Sequence, residues 1–499
     1  MNSISSRVAK GAFWMIGLRL LQRSLGLIST LVLARLLMPE DFGVIAMALA
    51  ITALVELLTM LGLDMALIQK KGAGNSHFDT AWTLGLIFKA ASALLLVLSA
   101  GLIAEFYSDA RLTDIIYIYA AVAFLSGFEN IGLVAYRKEL EFRKEFNFQI
   151  IKKVLAVVVT VGLALYFRNY WALALGTLFA QFTGVALSYV IHPYRPKLTL
   201  HYWREMLNFS SWIVFNNFAI YARDRGADFV IGKVQGAEMV GNFRIASEIS
   251  SLPTTAIYLP ITRAVFPGFS KISDEPLRLK NAYLSAQAAV SIVSLPAVIM
   301  LMLLADPLVT LLLGQNWLHI IPVIQILCLC GATKVAHGNR HALFMSVGKP
   351  SWIGFVTVIE LLIMYPAIIY ALMHNHDLEV IAWIKFISSL ATIPLGLHLI
   401  SKVIDIKRTD WLAISWRPIA ATVLMSVVVT TMHTYLPGDG SAYTAALQML
   451  LLTPLCVISY TLFIWLLWQL AGKPTGIESK IIGSEQFTKV IKKITGMIR

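Results

Sequence analysis

The stretch GAFWMIGLRLLQRSLGLISTLVLARLLMPEDFGVIAMALAITALVELLTMLGLDMALI, residues 11–68, decides the fold class. It holds two apolar runs, 11–37 and 42–68, each longer than the roughly 20 residues a helix needs to cross a bilayer, with only MPED between them. Inside lipid a helix satisfies its own backbone polar groups, so two such runs read as antiparallel spanning helices. Pro39 pre-sets the turn and Gly43 opens the second run. The first run follows Arg7 and Lys10 but is too long for a signal-peptide core and lacks a small-residue cleavage site, so it is read as a retained first helix.

The pattern continues along the chain. Spans are expected near 11–37, 42–68, 80–104, 113–136, 149–167, 170–191, 209–232, 240–263, 283–305, 320–345, 352–373, 378–400, 415–435 and 443–470. The expected fold is an all-α integral membrane protein of about 14 transmembrane helices. With 58% hydrophobic residues, 14% charged and a mean hydropathy of +0.73, the composition excludes a soluble fold. The net charge of +13 could mean nucleic acid, but no basic segment is interleaved with aromatics in a polar domain of its own. Topology accounts for it: with a cytosolic N-terminus, the inside segments carry about 25 Lys/Arg and the outside ones about three (Arg111, Arg168, Lys233). That places both termini in the cytosol. Cys328, Cys330 and Cys456 lie in apolar runs and suggest neither a disulfide framework nor a metal site.

Sliding the chain on itself by 198 residues aligns Trp14 with Trp212, Val32 with Val230, Glu40 with Glu238, Gly43 with Gly241 and Ala48 with Ala246. The offset equals six expected helices, as in parallel-repeat transporters. Two six-helix lobes related by a pseudo-twofold repeat, 1–200 and 201–405, are expected, then two extra helices in 406–470 and a cytosolic tail, 471–499. In the tail Phe487, Val490, Ile491, Ile494 and Ile498 form an apolar face opposite Lys489, Lys492 and Lys493, which fits an inner-leaflet helix. Pro253, Pro260, Pro296, Pro322, Pro366 and Pro394 fall in spans of the second lobe, where each removes a backbone hydrogen bond and permits a bend, so that lobe is expected to move.

A Lys or Arg at mid-bilayer costs roughly 2.5–3.5 kcal/mol and needs a partner or a water-filled cavity. Arg19 and Arg23 share one helix face beside Gln22; Lys334, His337 and His341 form a stripe with Arg340 close by; Lys89 and Lys385 have no acid at helical spacing. A hydrated cationic cavity would relieve these charges and suit an anionic head group such as a diphosphate. Arg19, Arg23 and Lys89 fall in the inner half, where snorkelling to the leaflet surface is the other reading. Glu56, Glu129 and Glu360 have no cation at helical spacing and are candidates for ion coupling, for balancing the cavity, or for hydrogen bonding within the bundle. Asp64 reads as a solvated helix end. Arg223, Asp224, Arg225 and Asp228, with Arg244 and Glu248, read as structural ion pairs. His374, His376 and Asp377 read as a wet turn. No nucleophile elbow, P-loop or paired metal motif occurs, so neither an enzyme nor a cofactor is expected.

The segments LARLLMPEDFGVIAMALA (33–50), ALIQKK (66–71), IGKVQGAEMVGNFRIA (231–246), FPGFSKI (266–272), LLGQNW (312–317) and GKPSW (348–352) resemble the polysaccharide-exporter branch of the multidrug/oligosaccharidyl-lipid/polysaccharide superfamily. They are most similar in kind to Wzx-type flippases of the colanic-acid exporter group, over about residues 1–400. The resemblance implies two lobes that open alternately to each leaflet and carry an undecaprenyl-diphosphate-linked repeat unit from the cytosolic to the periplasmic face, for lipopolysaccharide or exopolysaccharide synthesis. It also implies a polysaccharide polymerase and a chain-length regulator as partners. The motif residues themselves look structural, with Arg35 and Lys233 at equivalent rim positions. A cation-coupled exporter of small drugs is the competing reading, and it calls for an acidic cavity. A polymerase or ligase would need a large outer catalytic loop, and the expected outer loops are short.

Overall fold

A computed structural model describes residues 4–474 apart from 60–62, 64–66, 68–69, 71–73, 140, 208–210, 375–376 and 437–439. The expected tail face, Asp64 and His376 lie outside the described residues, as does the side chain of His337. Every regular element among the described residues is helical, and nine helices there are long and apolar enough to cross a membrane. Leu98, Val158, Leu362 and Leu450 are each more than 60% exposed on such helices, the surface a lipid solvent requires. This is a multi-pass membrane protein. The chain divides into two compact units, Met1–Arg244 and Ile245–Arg499.

The first unit holds α1 (Ile4–Leu36), α2 (Pro39–Thr59), α3 (Asn75–Tyr107), α4 (Arg111–Ser126), α5 (Leu133–Lys138), α6 (Phe142–Phe167), α7 (Trp171–Ile191), α8 (Trp203–Leu207) and most of α9 (Ser211–Ser250). α3 packs along α4, α6 along α7, α1 along α6, and α4 against α7. Small residues let these backbones approach: Ala93, Ala100, Ala120, Ala123, Ala164, Ala172 and Ala174 are all buried. α9 is two helices joined at Gly236, whose φ of 81° only glycine adopts cheaply, and this break falls at the expected turn between the spans 209–232 and 240–263.

The MPED turn is a polar clasp. Arg111 pairs with Glu40 at 2.7 Å and forks onto Asp109, while Asp41 accepts from the backbone N–H groups of Met38 and Tyr170, both at 2.9 Å. The repeat explains the glycines beyond the clasp. A Cβ on Gly43 would run into the carbonyl oxygen of Ala237, and one on Gly241 into the carbonyl oxygen of Pro39. Since Pro39 and Ala237 are themselves 198 apart, the two turns meet reciprocally, as a self-complementary contact about a local twofold must. Close main-chain approach, rather than the turns alone, is what requires glycine at both positions.

The second unit holds the end of α9, a π-helical turn (Thr254–Tyr258), α10 (Leu259–Lys271), α11 (Pro276–Leu303), α12 (Ala305–Leu312), a 3-10 turn (Gln315–Ile320), α13 (Ile321–His337), α14 (Arg340–Ser346), α15 (Ser351–Met373), α16 (Leu378–Ala391), α17 (Ile393–Ile404), α18 (Arg408–Tyr435) and α19 (Ala442–Leu470). α11 is the central post, packed on α13 and α18, and α18 pairs with α19. Three expected spans are interrupted. The π turn follows Pro253, and α16 passes to α17 at Thr392, two residues before Pro394.

The third interruption corrects an expectation: the span at 320–345 is two helices, broken at Gly338 (φ 60°). Lys334, His337 and His341 therefore do not continue one helical stripe, because the phase is lost at the break. Gln287 of α11 holds the break open, donating to the Ser291 hydroxyl at 3.2 Å and to the Val335 carbonyl at 3.1 Å, and its side-chain oxygen fills the space a Cβ on Gly338 would need. Tyr258 donates to the Gly338 carbonyl at 2.8 Å. Gly338→Ala combines a glycine-only conformation with a steric overlap and is expected to cost about 1–3 kcal/mol, read as a fall of several degrees in the thermal midpoint of the purified protein. An unchanged midpoint would refute the tight fit.

Candidate functional site: a charge-lined cavity in the first unit

Helices α3, α6 and the segment joining α4 to α5 enclose a cavity of about 330 Å³. α3 contributes Trp82, Gly85 and Lys89, the joining segment Glu129 and Asn130, α5 Tyr136, and α6 Glu145 and Gln149. Arg137, on α5, also lines it. α4 ends at Ser126 and its line is resumed only at Leu133, so the expected span 113–136 is not one helix. Asn130 organises that interruption. Its side chain donates to the Tyr194 carbonyl at 2.7 Å and accepts from Gly132 N–H at 2.9 Å, and its backbone N–H donates to the Ser188 hydroxyl at 3.1 Å. A fixed, unwound backbone thus forms one wall. Irregular backbone at membrane depth is tolerated where it lines a cavity.

Three ion pairs surround the space. Lys89 meets Glu56 at 2.8 Å, Arg137 meets Glu145 at 2.6 Å, and Lys152 meets Glu129 at 3.3 Å. Lys89 is therefore not isolated, nor are Glu56 and Glu129 without cations: their partners come from neighbouring helices, which spacing along one helix cannot reveal. The charged side chains lining the cavity are two cations, Lys89 and Arg137, and two carboxylates, Glu129 and Glu145. The space is charge-balanced at rest rather than cationic. Glu145 is 8% exposed on its side chain, and its second oxygen, Oε2, is buried without a hydrogen-bond partner among the described residues.

Arg137 and Glu145 are not legible as site residues because YRKELEFRKE (136–145) reads simply as a basic connection, and Gln149 and Lys152 are not because they sit at the start of the apolar run 149–167, where they read as a helix end. Gln22 of α1 reaches Gln149 at 3.4 Å, which brings the α1 face carrying Arg19 and Arg23 toward the cavity, although neither arginine lines it. Just outside the spans, burial and then the charge of Lys144 hold His192 below the usual histidine range, in keeping with its Nδ1 accepting from Tyr194 N–H at 3.1 Å.

In the second unit Lys334, Lys385 and Glu360 gather around Cys330 although they come from α13, α16 and α15. Glu360 is 8% exposed and Lys334 is exposed. Arg340, at the start of α14, lies close to Tyr283 of α11. Among the expected structural pairs, Arg223 meets its neighbour Asp224 at 3.0 Å, and Asp228 is buried near Tyr107.

Residues 32–322 match the polysaccharide biosynthesis protein family, an interval that takes in the MPEDFG turn, both contacting glycines and the cavity. The chain belongs to this family. Among its relatives, the lipopolysaccharide biosynthesis protein WzxC of Escherichia coli (strain K12) is 25% identical over 377 residues, 74% of this chain and 75% of WzxC. The teichuronic acid biosynthesis protein TuaB of Bacillus subtilis (strain 168) is 22% identical over 434 residues, 86% of this chain and 89% of TuaB. The succinoglycan biosynthesis transport protein ExoT of Rhizobium meliloti (strain 1021) is also 22% identical, over 443 residues, 87% of this chain and 88% of its own. The fold of this family member is shared with the lipid II flippase MurJ in an inward closed conformation, at a TM-score of 0.71 and 13% identity, covering 92% of this chain and 99% of MurJ. It is shared less closely with an inward-facing multidrug resistance MATE family transporter of the MOP superfamily, at 0.60 and 18% identity, covering 77% and 95%. The resemblance expected from the PEDFG, GKVQG and LLGQNW segments is thereby borne out.

Proposed function

We propose that the protein flips an undecaprenyl-diphosphate-linked oligosaccharide repeat unit from the cytosolic to the periplasmic leaflet of a bacterial inner membrane by alternating access, and that it is a transporter rather than an enzyme. The observation that carries this reading is the conjunction of membership in a polysaccharide biosynthesis family with a fold shared with the lipid II flippase MurJ over 92% of the chain. In this reading about 14 helices cross the membrane, both termini are cytosolic, the lobes are 1–200 and 201–405, and 406–470 adds the last two helices. A polymerase and a chain-length regulator would act on the product.

Charge exchange is the step the cavity supports. Lys89 gives up Glu56 for a phosphate oxygen, and Glu56, left without that countercharge, is the candidate for ion coupling. Glu129 and Lys152 repeat the arrangement between the joining segment and α6. Arg19, Arg23, Lys334, His337, Arg340 and Lys385 would receive the anion along the path, and Glu360 would compensate in the second unit. A small-drug exporter would want a cavity whose carboxylates are not already matched by Lys and Arg.

The decisive experiment measures periplasmic appearance of labelled undecaprenyl-diphosphate oligosaccharide in cells with and without this protein at matched precursor synthesis. Accumulation on the cytosolic face only in its absence is the expected result. Unchanged translocation would sink the flippase reading in favour of a small-solute exporter.

A further inference from the structure

We infer that residues 195–204, RPKLTLHYWR, form a preorganised contact surface for anionic lipid head groups at the membrane boundary. The segment begins four residues after α7, a helix long and apolar enough to span, ends at Ile191, so it lies at head-group depth. It is irregular until α8, yet it is not free. Lys197 N–H donates to Asp79 Oδ1 at 2.8 Å, Thr199 N–H to the Thr83 hydroxyl at 3.0 Å and Tyr202 N–H to the Thr80 hydroxyl at 3.4 Å, fastening three successive points to the first turns of α3. Tyr202 stacks on His77 at 3.8 Å between ring centroids, and Met206 is buried against Phe78, Ala81 and Leu84.

The outward side carries a different chemistry. Leu198 is 72% exposed, Leu200 45% and Trp203 43%, while Arg195, Lys197 and Arg204 are exposed among them. Lys70 sits over the Tyr202 ring at 5.3 Å and adds a further cation. Asp79, the acid beneath the segment, is turned inward to Tyr194 and the Lys197 N–H, so it does not neutralise this side. Three large apolar groups facing water would be unfavourable, and three facing mid-bilayer would drag the cations with them. Only the interface accepts both, with leucine and tryptophan in the acyl boundary and lysine and arginine on phosphate. Because the backbone is already fixed, docking costs little ordering entropy. The cations select anionic over zwitterionic head groups, and the surface is separate from the cavity.

The test uses the full chain with Leu198→Cys carrying a fluorescent probe, the parent chain taken through the same labelling serving as blank. It is reconstituted into vesicles of phosphatidylcholine alone or with phosphatidylglycerol, and quenched from water by neutral acrylamide. Quenching about threefold weaker in the phosphatidylglycerol vesicles, with the difference abolished by molar salt, is expected. Lys197→Glu combined with Arg204→Glu should abolish it as well. Equal quenching in both vesicle types, whether the probe is buried or accessible in both, overturns the proposal. The salt comparison needs no charge variant, so a misfolded double variant leaves the test intact. No lipid-linked sugar is present, so the outcome is independent of whether the protein is a flippase.

Discussion

Lys89→Met is expected to lower the rate of lipid-linked oligosaccharide flipping on the order of tenfold or more, the loss that follows from removing one charge-assisted hydrogen bond to a phosphate. It should also lower stability, since Glu56 at 2.8 Å loses its partner. The side chains are 32% and 39% exposed, so screening keeps the stability loss to about 1–2 kcal/mol, below that of a fully buried pair. Adding Glu56→Gln separates the two effects. The double variant should melt near the parent while its flipping stays low, because the orphaned carboxylate is gone but the phosphate ligand has not returned. Glu56→Gln alone should keep flipping, because Lys89, the phosphate ligand, remains in place. A double variant that recovers both stability and rate would make the Lys89–Glu56 pair purely structural and take Lys89 out of the substrate path.

Gly43→Ala and Gly241→Ala are each expected to destabilise the first unit by about 1–3 kcal/mol, and in cells to reduce polysaccharide export. The obstacle on each side is a main-chain carbonyl, of Ala237 and of Pro39, so no rotamer change relieves the overlap and the backbones must separate. Gly43 N lies 3.0 Å from the position of a Gly241 Cβ, which makes the two sites parts of one contact. The double variant should therefore cost less than the sum of the singles, since the second substitution enters a contact already opened. Gly101 and Gly162, with nothing within 4 Å of an added Cβ, serve as controls whose alanine variants should melt within about a degree of the parent. Equal melting for Gly43→Ala and the controls would refute the reciprocal contact.

A helical membrane protein is legible in the chain because apolar run length answers to bilayer thickness and is a property of single segments, and its family is legible in local motifs such as PEDFG and LLGQNW. The sequence also located the turn motif and the 198-residue offset, since a repeat survives as identity at a fixed spacing. Which residues meet across helices was decided only by tertiary structure. Glu56 and Lys89 are 33 apart, Glu129 and Lys152 are 23 apart, and no helical periodicity links either pair. The breaks at Gly338 and at 127–132 were hidden for the same reason: each is held by a side chain from elsewhere, Gln287 in one case and the Ser188–Tyr194 region in the other. Glycine and asparagine in an apolar run mark where a helix can part. A distant hydrogen-bond partner decides whether it does.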